Sequence, residues 1–151
     1  MTSKTMRSLI CALVVCTAAV AAAFAQGSTS SNQPVSLSGT YQLDRVNVGD
    51  VSVSMTFTAK ITNTGGTDVS GPIVLRHPND IMKIYERFGE KSIAAGKSVT
   101  VSDTVTVPRE IYDGWISGAG PAVFFNTKNE RGDIKTYRIS LQATKAVAAA
   151  E

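Results

Sequence analysis

Beyond residue 16 the sequence contains no cysteine, since its only two are Cys11 and Cys16. A disulfide framework and a thiolate metal site are thereby excluded for the rest of the chain, which must be held by packing alone. Histidine occurs once, as His77, whereas a structural zinc takes about four ligands and a catalytic one about three. With no Gly-x-Ser-x-Gly in the chain, a nucleophilic triad would have to be built on His77 with no ordering pattern behind it. Asn-x-Ser/Thr is also missing, which removes asparagine-linked glycosylation. No long run of like charges occurs, nor the basic stripe with stacking aromatics that nucleic-acid binding calls for. Lys and Arg number 15 against 12 Asp and Glu. Two of those cations, Lys4 and Arg7, sit at the amino end, so the remainder is close to neutral and predicts no nucleic-acid partner.

The carboxylates present form no convincing constellation. Glu86 and Glu90 could serve acid–base chemistry only if they faced one another across a cleft, and their setting reads as a solvated hairpin. Asn79-Asp80 follows Pro78 and reads as an Asx-type turn. Asp and Asn cluster at Asn47 with Asp50, Asn63 with Asp68, and Asn126 with Asn129 and Asp133, but none keeps the register of a dedicated calcium loop. No cofactor and no metal is expected.

What is present begins with an export signal. Lys4 and Arg7 precede an uncharged stretch from Leu9 to Ala22, and Ala23-Phe24-Ala25 has the small-x-small form of a signal-peptidase site. Residues 1–25 read as a signal peptide, cleaved to expose Gln26, with the product exported to the periplasm or the exterior and not stably inserted in a membrane. A retained anchor is the rival reading. Lipid attachment at Cys16 is a third, opposed by Val15 where a small residue belongs.

Residues 26–38, rich in Ser, Gly, Thr, Asn and Gln, read as a flexible lead-in. A short strand at Tyr41 and Leu43 follows, with a break around Asn47 to Asp50. Val51, Val53, Met55, Phe57, Ala59 and Ile61 then occupy every second position with polar residues between, so one face of a strand is apolar. Asn63 to Asp68 reads as a turn, Ile73 to Leu75 as a third strand, and Ile81 to Phe88 as either a bulged strand or a helical face, with strand favoured. After a turn over Gly89 to Gly96, the alternation returns at Val99, Val101, Val105 and Val107. Asp103 takes the missing apolar slot, which predicts a bulge or a carboxylate emerging at an edge. Ala122 to Thr127 and Ile134 to Gln142 close the series as a hairpin, and 143–151 reads as a frayed tail. One-sided strands need a second layer. The expectation is one all-β domain over 39–142, an immunoglobulin-like antiparallel β-sandwich of about seven strands with no convincing helix.

The segments Ala59-Lys60-Ile61-Thr62-Asn63-Thr64-Gly65-Gly66, Asp68 to Leu75, and Ile93 to Val101 resemble the strand and turn chemistry of bacterial adhesion-related immunoglobulin-like domains of the CARDB type. The resemblance covers roughly residues 50–108. It implies an extracytoplasmic accessory or recognition module without enzymatic activity.

The candidate recognition surface lies between the last well-marked strands. Gly114, Gly118, Gly120 and Pro121 interrupt Arg109 to Pro121, which nonetheless holds Trp115, the only tryptophan, with Arg109, Tyr112 and Ile116 around it. Trp, Tyr and Arg commonly dominate binding energies, and loops on a rigid sandwich commonly carry them. The competing reading makes Trp115 a plug for the open end of the sandwich. Three roles follow: a binding module whose partner is an envelope or extracellular protein or a glycan, a structural protein that self-associates through a sheet edge such as Ser98 to Thr106, and a secreted enzyme or enzyme inhibitor.

Overall fold

The computed structural model describes residues 35–128 and 131–144. The expected signal peptide, most of the expected lead-in and the tail from residue 145 lie outside the described residues. Among the described residues no helix is long and apolar enough to cross a membrane.

The described residues form an all-β sandwich of eight strands in two four-stranded sheets, with one short helix. Strands β1 (Leu37–Val48), β2 (Ser52–Asn63), β5 (Ser98–Pro108) and β8 (Ser140–Ala143) form sheet I in the order β5-β2-β1-β8. Strands β3 (Val69–His77), β4 (Asp80–Ile93), β6 (Ala122–Lys128) and β7 (Ile134–Arg138) form sheet II in the order β4-β3-β6-β7. Neighbours pair antiparallel except β1 and β8, which run parallel.

The period-two pattern of β2 becomes the central layer. Val53, Met55, Phe57, Ala59 and Ile61 are buried, and Phe57 stacks between Tyr41 of β1 and Phe88 of β4. Val51 departs from the expected set: it precedes the strand, is 82% exposed, and its carbonyl accepts from the Arg109 N–H. The buried face continues at its other end through Asn63, a polar residue with no exposed surface. Its Nδ2 donates to the carbonyls of Thr67 (2.7 Å) and Ile93 (3.0 Å), and its Oδ1 accepts from the Gly65 N–H (3.0 Å). One amide thus ties the β2–β3 loop to the end of β4. Asn63→Ala should leave those three backbone groups unpaired and cost about 2–3 kcal/mol. A urea midpoint equivalent to a loss below about 0.5 kcal/mol would show that solvent replaces the amide.

Several boundaries differ from those expected. β1 is twelve residues long, already begins at Leu37 inside the supposed lead-in, and absorbs its irregularity as a bulge between Asp44 and Asn47 with Arg45 at φ 52°. β4 is a strand and runs through Gly89 to Ile93, with a register shift against β3, so the turn shrinks to the residues after Ile93. Gly71 is required where β3 approaches β6, because a Cβ there would lie 1.8 Å from the Asn126 carbonyl oxygen. Asp103 is exposed on β5, an edge strand, so its carboxylate leaves the sandwich sideways. The final strand is two: β7 leaves sheet II, Ile139 is buried at the crossing, and β8 joins sheet I beside β1. That split gives eight strands in place of about seven, and it brings Ala143, assigned to the tail, into β8.

Candidate binding face

The expected loop at Arg109 to Pro121 contains a helix, α1 (Arg109–Ile116). Pro108 is its N-cap residue, Glu110 lies in the positive first turn, and Arg109 pairs with Asp113 one turn on at 3.3 Å. An eight-residue helix is marginal alone; burial of Ile111, Tyr112 and Trp115 along one face holds it. It stops where the Ser117 N–H and hydroxyl both donate to the Asp113 carbonyl and Gly118 takes φ 100°. Gly114 is therefore inside the helix rather than an interruption.

This placement corrects the candidate surface. Trp115 is 3% and Tyr112 2% exposed, and the Trp115 ring lies 6.2 Å from that of Phe57. Both are core residues, because the amphipathic turn of α1 aims them inward. Arg109 stays exposed but serves locally, bonded to Asp113 and facing the Gly49 carbonyl. Ile116 is half-buried and, with Tyr41, Trp115 and Leu141, lines an open groove of about 390 Å³. The four residues do not form a displayed patch.

The other candidates are absorbed by structure. His77 Nδ1 accepts from the Asn79 N–H, and Asp80 closes an Asx turn onto the Met82 N–H. Asp68 Oδ1 accepts from the Ala95 N–H. Glu86 pairs in register with inward-facing Leu75 and Glu90 with Pro72 on the other side of the strand, so these carboxylates do not converge. Asn126 Oδ1 accepts from Thr136, while Asn129 lies outside the described residues. Among the described residues no group of three or more His, Cys, Asp or Glu could hold a metal.

The two outer faces differ in kind. Sheet I shows hydroxyls: Thr58 with Ser102 and Thr62 with Ser98 bond across strands at 2.8 Å. Sheet II shows apolar groups framed by arginines. Directly paired residues share a face, and the register places Arg87 beside Val74, Val74 beside Phe124, and Phe124 beside Arg138. Since Ile73, Leu75, Val123 and Phe125 belong to the core, this row points outward. The next row holds Ile84, Arg76 and Ala122. Val74 and Ala122 are 1% and 0% exposed although no second layer among the described residues covers this side, while Phe124 is partly exposed between them and Arg138. None of Arg76, Arg87 and Arg138 has a carboxylate partner among the described residues. Arg76 donates to the Ile81 carbonyl through Nη1, but its Nε is buried without an acceptor. Arg138 also lines a cleft of about 300 Å³ with Pro121, Ile139 and Leu141.

At the nearby end of β4 the Tyr85 hydroxyl is buried without a partner, and its pKa is raised, first by burial and then by the charges of Glu110 and Asp80. It remains a neutral donor.

The arginine row escaped the sequence reading because its members stand on different strands. The available signal was the pair of apolar triplets Ile73-Val74-Leu75 and Val123-Phe124-Phe125, in which the middle residue must face away from the core. Compared with models of known protein families the sequence matches none, and no curated protein aligns with it significantly.

Proposed function

We propose that this protein is a non-enzymatic binding module of immunoglobulin-like type, acting outside the cytoplasm, that holds its partner against the outer face of sheet II. The observation that carries this reading is the row Arg87, Val74, Phe124, Arg138: a partly exposed Phe124 packed beside Val74 on the side of a sheet that faces away from the core, bracketed by cations with no carboxylate partner among the described residues. Apolar cores rimmed by Arg are the common anatomy of interfaces. The export signal and the resemblance to CARDB-type domains agree with the role, as does the use of His77, Asp80 and Asp68 in turns.

The alternative, assembly of the cell envelope through a sheet edge, draws support from β5, which pairs with β2 without a register break from Ser52–Pro108 to Thr62–Ser98. Asp103 opposes it, since a charge at an inward position of an edge strand is a known guard against edge-to-edge pairing.

A photo-cross-linking amino acid settles which surface is used. Placed at Phe124 in the exported protein in its natural host, it should yield a discrete adduct; placed at Ser102, on the hydroxyl face, it should yield none. Adducts from Ser102 and none from Phe124 would assign the partner to sheet I instead.

A further inference from the structure

We infer that the ligand of this face is an acidic polypeptide: an extended segment carrying carboxylates at positions i and i+4 and an apolar side chain at i+2, laid across the strands of sheet II. The inference rests on the binding role proposed above and adds the chemistry of the partner.

The spacing carries it. Arg87 and Arg138 stand on the two outer strands of the sheet, with β3 and β6 between them. Three strand spacings put their backbones about 14 Å apart. An extended chain advances about 3.3 Å per residue, so about 13 Å separates residues four apart, and i, i+2 and i+4 point to the same side. Such a segment would set one carboxylate on each guanidinium and its middle side chain on Phe124, beneath which Val74 is already covered. Planar guanidinium pairs with carboxylate through two parallel hydrogen bonds, which fixes orientation as well as charge. Arg76 lies two residues along β3 from Val74, on the same face and about 7 Å off the row. Its guanidinium, held by donation to the Ile81 carbonyl, adds a third positive charge beside the row.

Other occupants fit less well. A single-stranded nucleic acid wants a continuous cationic track and several stacking rings, whereas Glu90 stands beside Pro72 on this face and Phe124 is its only aromatic among the paired residues. A second copy of this chain does not supply the segment. Its sequence with acids four apart and an aromatic between, Glu86-Arg87-Phe88-Gly89-Glu90, is part of β4, where Phe88 stacks on Phe57.

The test is a titration of the full exported chain, labelled with nitrogen-15, with the blocked peptide Gly-Ser-Asp-Gly-Phe-Gly-Asp-Ser-Gly. Amide shifts should concentrate at Val74, Arg76, Arg87, Phe124 and Arg138. The double variant Arg87→Glu, Arg138→Glu should keep the spectrum of a folded protein and bind at least about tenfold more weakly. A peptide of the same composition with its two Asp adjacent should also bind about tenfold more weakly, and salt raised from about 50 to 500 mM should erase most of the affinity. Shifts on sheet I, indifference to Asp spacing, or tighter binding of polygalacturonate or oligo-dT than of the peptide would each overturn the inference. Cross-links from position 124 together with no peptide binding would leave the binding face standing and remove only its acidic ligand.

Discussion

Phe57→Ala is expected to remove about 3–5 kcal/mol of stability, toward the upper end of that range. The ring has no exposed surface and contacts three others, with centroids at 6.1 Å to Tyr41, 5.8 Å to Phe88 and 6.2 Å to Trp115. Truncation would lose the transfer energy of the ring and leave a void bordered by both sheets and the helix, none of which can collapse without breaking strand pairing. A small domain has about 5–15 kcal/mol in all, so this one change takes a large part of it. Thr58→Ala, one residue along, removes a half-buried hydroxyl that bonds Ser102 on the opposite side of the sheet, and should cost about 0.5–1 kcal/mol. Urea melts of the pair measure the contrast. Equal midpoints would refute the facing of β2.

Trp115→Ala should be nearly as damaging, at about 3–5 kcal/mol. Trp115 joins α1 to the aromatic cluster and also forms part of the wall of the groove beside Tyr41, Ile116 and Leu141. Its removal would open that groove toward Phe57 and strip an eight-residue helix of its largest anchor. Far-ultraviolet circular dichroism should therefore lose helical signal before the sheets melt. As the sole tryptophan it also reports on itself: emission of the intact protein should be blue-shifted and poorly quenched by iodide. Red emission with full quenching would contradict a buried indole and reopen a display role for this residue.

The sandwich was legible where the alternation was strict and one-sided. Val53 to Ile61 and Val99 to Val107 announced their inner faces because each apolar residue lies between polar neighbours. The helix was hidden by Gly114 and by brevity, since two turns carry too few positions to establish a period of 3.6. The crossing at Ile139 was hidden for a different reason. Tyr137, Ile139 and Leu141 keep the same parity while the chain passes from one sheet to the other, so hydrophobic alternation gives no sign of the change. Asn63 looked like a turn residue and is one, through Gly65; its burial depends on Thr67 and Ile93, which the chain brings to it from elsewhere. The proposed binding face was least visible, because Arg76, Arg87, Phe124 and Arg138 meet only through pairing register.

The crossing at Ile139 also has a mechanical meaning. It delivers β8 to lie parallel beside β1, with Ser38 through Tyr41 opposite Ser140 through Ala143, and the Thr144 N–H and hydroxyl both bonded to the Tyr41 carbonyl. Tension drawing the two ends of this domain apart therefore pulls these neighbouring strands along their own axes in opposite directions. Their hydrogen bonds are strained together in shear, whereas a hairpin pulled at its open end parts one rung at a time. Sheet II lies outside that line of force. A partner held on its outer face would stay seated while the terminal strands bear the pull.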